Sequence, residues 1–176
     1  RALWNSIAER VQVQRRDAFV VYLAGPIDAD RPVAIDKGFS GRNLVAIERD
    51  KSVAKQLKDA GTCTLIGDIF KHLRAWHPDR RVDVCLLDLC GGLTPKIAGE
   101  IEDLMCLPQF QTAVFAINLL RGRDPQGNKL REKLVQFQNK LIDSAKNSQS
   151  KCVDLGIYSR EVFDNKVSAA IGGKPS

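Results

Sequence analysis

Three acidic side chains and one glycine stand where apolar runs of the sequence end, and each could contact a small ligand. Glu48, Asp68 and Asp88 each close or follow such a run, and Gly25 follows another. A carboxylate has two oxygens, so Glu48 could accept hydrogen bonds from both hydroxyls of a ribose, and Asp68 could accept one from the exocyclic amine of adenine. A glycine lets the backbone approach a ligand without a Cβ clash. The four positions are therefore candidates for contacts with a small ligand.

The apolar runs that would position these residues have the length of strands. They are continuous rather than alternating, which indicates burial on both faces, as in a parallel sheet. Segments with helical spacing or helix-capping residues separate them, which is typical of right-handed βαβ units. The predicted strands are 18–24, 43–48, 62–66, 82–87 and 112–119, with a sixth at 152–158, and the predicted helices are 1–16, 32 to 38 or 41, 51–60, 69–76, 95–107 and 129–146.

This alternation predicts a doubly wound, mostly parallel α/β sheet with helices on both faces, in a Rossmann-like arrangement. No internal repeat or low-complexity segment interrupts the 176 residues, so we expect a single domain over residues 1–176. Within it we expect an N-terminal helix at 1–16, a core at 18–158 and a tail at 159–176. Ligands of such sheets bind beyond the carboxyl ends of the strands, where the acidic residues stand.

Three segments resemble motifs of the class I S-adenosylmethionine-dependent methyltransferases. VAIERD (45–50) is similar to the second motif of that family, LIGDI (65–69) to the third and VDVCLLD (82–88) to the fourth, in the right order and spacing. The resemblance implies S-adenosylmethionine as cofactor, nested over the first three strands with Glu48 on its ribose and Asp68 at its adenine. It also implies that Asp88 faces the methyl donor and the acceptor, as the catalytic residue.

The loop after the first strand departs from the family's first motif. It carries the single glycine Gly25 where the family has several close together, so binding there would use the Gly25 backbone and a side chain such as Asp28 or Asp30. The segment after the fourth strand lacks the Asn/Asp-Pro-Pro-aromatic motif of the amino-methylating DNA enzymes. The cofactor-binding residues that we predict from the resemblance are Gly25, Asp28, Glu48, Gly67, Asp68 and Ile69.

The acidic residues also have a structural interpretation. Acidic residues at strand ends cap the following helix in many α/β proteins, which would be enough to account for Asp68 and Asp50. Glu48 could contact a ribose or lie in a solvated loop. Asp83 stands at the start of a strand, where a structural role is expected.

Other ligands are excluded by the motifs that they require. The chain has no G-x-G-x-x-G turn for a nicotinamide dinucleotide and no G-x-x-x-x-G-K-[ST] loop for a nucleoside triphosphate. His72 and His77 are the chain's two histidines and the cysteines form no CxxC pair, so we expect no metal site. Cys90 could be a nucleophile, but it lacks the Pro-Cys context of the cytosine-C5 enzymes, and packing is the alternative.

The net charge of +6, from 27 basic and 21 acidic side chains, favours an anionic partner such as nucleic acid. Arg121 and Arg123 follow the fifth strand, and we expect them to contact phosphates, although a solubilising surface is the alternative. Residues 1–16 lack the apolar stretch of a signal peptide and no run is long enough to cross a membrane, so we expect a cytoplasmic protein.

These observations predict methyl transfer from S-adenosylmethionine to a nucleic acid. The alternative is a methyltransferase-like domain without catalysis that binds nucleic acid or serves in assembly. The loose first motif favours that alternative.

Overall fold

A computed structural model of the chain describes residues 2–77, 80–89, 94–110 and 112–119, together with the helical positions 135, 136 and 139. Five strands in these residues form one parallel sheet. The strands are β1 (Val20–Leu23), β2 (Leu44–Glu48), β3 (Cys63–Ile66), β4 (Val84–Leu89) and β5 (Val114–Leu119). Their order in the sheet is β3-β2-β1-β4-β5, so β1 lies at the centre and the chain crosses over after β3.

Helices connect the strands, as the sequence predicts. The α-helices in the described residues are α1 (Ala2–Arg10), α2 (Asp30–Asp36), α3 (Lys51–Asp59), α4 (Ile69–Arg74) and α5 (Pro95–Met105). Short side chains fix where three of them begin: Asp50 caps α3, Asp68 caps α4 and Thr94 caps α5. Among the described residues, none of the helices is both long and apolar enough to cross a membrane.

The sheet carries a hydrophobic core on each face. On one face, which we call the α1–α3 face, β1, β2 and β4 pack against α1, α2 and α3; on the other, the α4–α5 face, the same strands pack against α4 and α5. Alternate residues along each strand face opposite sides, so Val20 and Tyr22 lie in the first core and Val21 in the second. The predicted doubly wound α/β fold with helices on both faces is confirmed.

The first helix is shorter than the predicted 1–16. It ends at Arg10, and Val11 and Val13 then pack against the α1–α3 face from a bent segment. The Arg15 guanidinium donates to the Ala8 carbonyl at 3.1 Å and so satisfies an acceptor at the end of the helix. The apolar spacing continues past the helix because both the helix and the segment after it bury side chains on the same core.

The buried residue Asp83 lies just before β4 and links it to the residue just before β1. Its carboxylate accepts a hydrogen bond from the Phe19 backbone N–H at 2.9 Å and forms an ion pair with the Arg81 Nε at 2.7 Å. The structural role expected for this residue is confirmed.

Contacts along the chain divide it into two units, Arg1–Phe137 and Gln138–Ser176. The sheet belongs to the first unit. Most of the predicted helix 129–146 and all of the predicted strand 152–158 and tail 159–176 lie outside the described residues. The single-domain organisation therefore stays a prediction.

Candidate functional site

The carboxyl ends of four strands present one side chain each to the same face of the sheet. Glu48 of β2 is paired with Ile66 of β3, and Asp88 of β4 is paired with Asn118 of β5. Side chains two residues apart on a strand share a face, so each of the four lies on the α1–α3 face. The residues two positions earlier, such as Ala46, are in or beside the hydrophobic core of that face.

Ala24, the residue after β1, lies on the same face between Glu48 and Asp88. Tyr22 is paired with both Ala46 and Leu86, so Ala24 is level with Glu48 on one side and with Asp88 on the other. Strands lie about 4.8 Å apart, so the backbones that carry the two acidic residues are about 10 Å apart, separated by a methyl side chain. We call this set of five side chains the edge row; its members, from β3 to β5, are Ile66, Glu48, Ala24, Asp88 and Asn118.

Glu48 is the half-buried acid of the edge row. Its Oε1 accepts a hydrogen bond from the Asp50 backbone N–H at 2.8 Å, and its Oε2 has no protein partner among the described residues. Asp50 in turn accepts from Ser52 and Val53 at the start of α3, and these hydrogen bonds hold its pKa below the usual range. Glu48 thus has one oxygen held by the loop and one oxygen available to a ligand.

Asp68 has both carboxylate oxygens engaged by the chain. Oδ1 accepts from the Lys71 backbone N–H at 3.2 Å and Oδ2 accepts from the Arg49 guanidinium at 2.6 Å. Burial raises the pKa of Asp68, but the hydrogen bonds from Lys71, Arg49 and Phe70, together with the positive charge of Arg49, outweigh it, and the net shift is downward. The cap predicted from the sequence is confirmed, whereas a contact with adenine stays a prediction.

Gly67 and Ile69 flank Asp68 and are fixed by packing. Gly67 has φ of +141°, and a Cβ there would lie 2.8 Å from the His72 Nε2. The same His72 nitrogen is 2.9 Å from the Ile66 carbonyl oxygen, so the ring closes over the turn between β3 and α4. The Ile69 side chain is buried in the α4–α5 core, so a ligand at the edge row would meet only its backbone.

The loop after β1 forms a turn with an open surface. The Asp28 N–H donates to the Gly25 carbonyl at 3.0 Å, which closes a β-turn with Pro26 in its second position. A Cβ built on Gly25 meets no atom within 4 Å. Ile27, at the tip of the turn, is 85% exposed. The turn therefore leaves backbone and an apolar side chain uncovered next to the end of β1.

The Asp28 side chain does not join the edge row. Its Oδ1 accepts from the Tyr22 hydroxyl and its Oδ2 from the Thr62 hydroxyl, both at 2.8 Å. Thr62 precedes β3, so the carboxylate points back toward the amino end of that strand. Burial and the hydrogen bond to Asp28 raise the pKa of the Tyr22 hydroxyl above its usual range. Both oxygens of Asp28 are thus engaged by hydroxyls of Tyr22 and Thr62, and its contact with a cofactor stays a prediction.

Asp88 is exposed and accepts a hydrogen bond at Oδ1 from the Asn118 amide, at 2.9 Å. Its Oδ2 has no protein partner in the part of the chain that the structure describes. Sequence reasoning missed Asn118. The signal was present, because Asn118 is the polar residue of an otherwise apolar strand and stands two positions after Ala116 on the core-facing side.

Several predicted residues lie outside the described part of the chain: the basic pair Arg121 and Arg123, and Cys90. Within the described part, no group of three or more His, Cys, Asp or Glu side chains could hold a metal ion.

Comparison of the chain with protein-family models found no match, and comparison with curated proteins found none either. The strand order and the edge row are therefore the grounds on which a function can be proposed.

Proposed function

We propose that this chain binds S-adenosylmethionine over the ends of β1, β2 and β3 and transfers its methyl group to a nucleic acid. The observation that carries the proposal is the edge row. It sets Glu48 and Asp88 on one face about 10 Å apart, with only Ala24 between them. This separation lets one acidic residue hold the ribose while the other faces the reacting end of the same ligand.

The residues around Glu48 fit a nucleoside. The free Oε2 of Glu48 can accept from a ribose hydroxyl. Ile66, its neighbour on β3, is 41% exposed and offers apolar surface beside it for a flat base. Gly25 lies after the next strand and has open space where a side chain would stand. Together these features supply a polar contact, an apolar wall and an uncovered backbone.

The residues around Asp88 fit an acceptor. When bound, S-adenosylmethionine supplies a methyl group on a sulfonium, which an acceptor attacks in line. Asp88 is exposed, and its Oδ2 can accept a hydrogen bond from the acceptor and so orient it or remove its proton. Asn118 holds the other oxygen of the same carboxylate. Positioning of this kind provides much of the rate of a displacement reaction.

Charge supports a nucleic acid as the acceptor. The chain carries a net charge of +6, and phosphate backbones attract such proteins. The predicted phosphate contacts, Arg121 and Arg123, follow β5, the strand next to Asp88 in the sheet.

A thermal-shift titration with S-adenosylhomocysteine tests the cofactor half of the proposal. A ligand at 100 times its Kd stabilises the native state by about 2.7 kcal/mol, so the Tm should rise. Glu48→Ala should abolish the rise. The matched control is Glu9→Ala, which removes an exposed glutamate from α1 and should leave the rise intact. Absence of any shift at millimolar ligand would contradict cofactor binding.

A salt titration tests the nucleic-acid half. The logarithm of the affinity for a DNA or RNA duplex should fall linearly with the logarithm of salt concentration, with a slope of about 0.9 per neutralised phosphate. Replacing Arg121 and Arg123 together by Ala should reduce that slope by up to about two. Lys55→Ala with Lys58→Ala removes the same charge from exposed positions of α3 and should leave the slope unchanged. Equal effects of the two double variants would refute a specific role for the arginines.

A second candidate is a domain of this fold that binds nucleic acid without catalysis. The observation that favours it is the engagement of acidic oxygens by the chain itself: both of Asp68, both of Asp28 and one of Glu48. This candidate predicts salt-dependent nucleic-acid binding together with no thermal shift from S-adenosylhomocysteine. The two titrations therefore separate the candidates.

A further inference from the structure

We infer that Asp28 is a positioning residue that clamps the loop after β1 onto the α1–α3 face, and that it does so through the geometry of its side-chain hydrogen bonds rather than by presenting charge to a ligand. The clamp has three members: Asp28 in the loop, Tyr22 on β1 and Thr62 ahead of β3. It ties the loop to two strands that are not neighbours in the sheet.

The first support is that the partners of Asp28 are buried hydroxyls. Tyr22 is 1% exposed and Thr62 is 5% exposed. A hydroxyl buried without a hydrogen-bond partner destabilises the fold, so both need a hydrogen-bond partner that reaches them. The two oxygens of one carboxylate serve both, each at 2.8 Å. With one hydrogen bond at each oxygen, the Asp28 carboxylate is oriented toward these two hydroxyls.

The second support is the backbone of Asp28. Its φ is +41°, in the left-handed region, which a non-glycine residue occupies only when its surroundings hold it there. Aspartate and asparagine tolerate this region better than most residues. The side-chain hydrogen bonds to Tyr22 and Thr62 supply the restraint.

A neighbouring contact holds the other side of the loop. The Trp4 indole N–H donates to the Asp30 carboxylate at 2.8 Å, and Trp4 is itself buried in the α1–α3 core. The loop is thus anchored at Asp28 and again at Asp30. Glycines are absent between these anchors and Gly25, so polar side chains fix a loop that begins with a single glycine.

The consequence is a turn that has its shape before any ligand arrives. A binding surface that is already ordered loses less conformational entropy on binding, which favours affinity. This consequence for affinity rests on the proposed function, whereas the clamp itself does not.

Two substitutions at Asp28 separate hydrogen-bond geometry from charge. Asp28→Asn keeps the size of the side chain and tolerates positive φ; its carbonyl can accept from Tyr22 while its amide donates to the Thr62 oxygen. Asp28→Gly suits the backbone but removes both hydrogen bonds. Tyr22→Phe removes one bond and keeps the ring that packs in the core.

The clamp can be tested by amide hydrogen exchange at residue 28, corrected for intrinsic rates. That N–H donates to Gly25 within the turn, so its protection reports how well the turn is held. Protection should fall about tenfold or more in Asp28→Gly, fall by a smaller factor in Tyr22→Phe, and stay within about twofold in Asp28→Asn. Unchanged protection in Asp28→Gly would overturn the clamp. An equal loss in Asp28→Asn would show that charge holds the loop, which also overturns the inference.

The effect of the clamp on binding can be tested by measuring the affinity for S-adenosylhomocysteine by calorimetry on the same variants. The affinity should weaken about tenfold in Asp28→Gly and stay close to the parent in Asp28→Asn. Lost protection with unchanged affinity would overturn the link between clamp and binding. If the parent protein does not bind the ligand at all, the proposed function and this link both fail, while the exchange experiment still decides the clamp.

Discussion

The two halves of the carboxyl edge use their acidic residues differently. On the β2–β3 half, a helix starts within a few residues of each strand. Asp50 accepts hydrogen bonds from the first backbone N–H groups of α3, and Asp68 accepts one from α4. On the β4–β5 half, α5 starts at Pro95 and is capped by Thr94, so Asp88 does not cap it. Asp88 stays exposed, with one oxygen held by a side chain of the next strand.

The difference shows that the distance from a strand end to the next helix decides what an acidic residue there can do. The first-turn amides of a helix lack partners within the helix, and a nearby carboxylate satisfies them. An acidic residue that lies away from a helix start therefore keeps an oxygen available to contact a ligand.

The largest effect should come from removing the charge of Asp88. Asp88→Asn keeps the shape of the side chain but lowers its capacity to orient or deprotonate an acceptor, so kcat for methyl transfer should fall by roughly 100-fold or more. The free energy of unfolding should change by less than about 1 kcal/mol, as expected of an exposed side chain. Asp68→Asn removes the same charge from the other half and should affect kcat little. Equal losses at both positions would contradict the distinction between the halves.

A smaller effect, on stability, is expected at Gly67. Alanine there would hold φ of +141° and place its Cβ 2.8 Å from His72, so Gly67→Ala should destabilise the fold by about 1–3 kcal/mol. Gly25→Ala meets no atom within 4 Å and should cost less than about 0.5 kcal/mol. Urea denaturation of both variants makes the measurement. A loss at Gly25 as large as that at Gly67 would show that the loop after β1 is packed as tightly as the turn after β3.

The smallest effect concerns the caps and their dependence on pH. Asp68→Ala and Thr94→Ala each remove one cap and should each lower the free energy of unfolding by about 1 kcal/mol at pH 7. The pKa of Asp68 is lowered in the folded protein, so its stabilisation is present above the unfolded pKa of about 4 and is lost as pH falls through the folded value.

The difference between the parent and Asp68→Ala should therefore shrink below about pH 4. Thr94 does not titrate, so the difference between the parent and Thr94→Ala should not shrink in this way. Denaturation at pH 7 and at acidic pH compares the two. A constant difference for Asp68→Ala would mean that its cap does not depend on charge.

The fold was predictable because the signals that encode it are local. Continuous apolar runs mark buried parallel strands, and capping residues such as Asp50, Asp68 and Thr94 mark where helices begin. The end of α1 was not predictable, since Val11 continues the helical spacing while packing on the core from outside the helix. Periodicity records burial, and it does not distinguish a helix from a bent segment that shares its core.

The candidate site was predictable only in part. The positions of Glu48 and Asp88 at strand ends follow from the strand pattern, and the structure brings them to one face. Their partners do not follow, because they come from distant parts of the chain: Asn118 is 30 residues from Asp88, and Thr62 is 34 residues from Asp28. Whether a carboxylate is free or engaged depends on such tertiary neighbours.

The central position of β1 has a consequence for the order of folding. It pairs with β2, which follows after one short helix, and also with β4, whose approach brings Phe19 against Asp83 across 64 residues of sequence. Closing the longer loop costs more chain entropy, and sheets built from such contacts fold slowly. The β1–β2–β3 segment should therefore assemble first, with one edge of its central strand unpaired. Until β4 arrives, that edge is open to pairing with other chains, so the yield of refolding should fall as protein concentration rises.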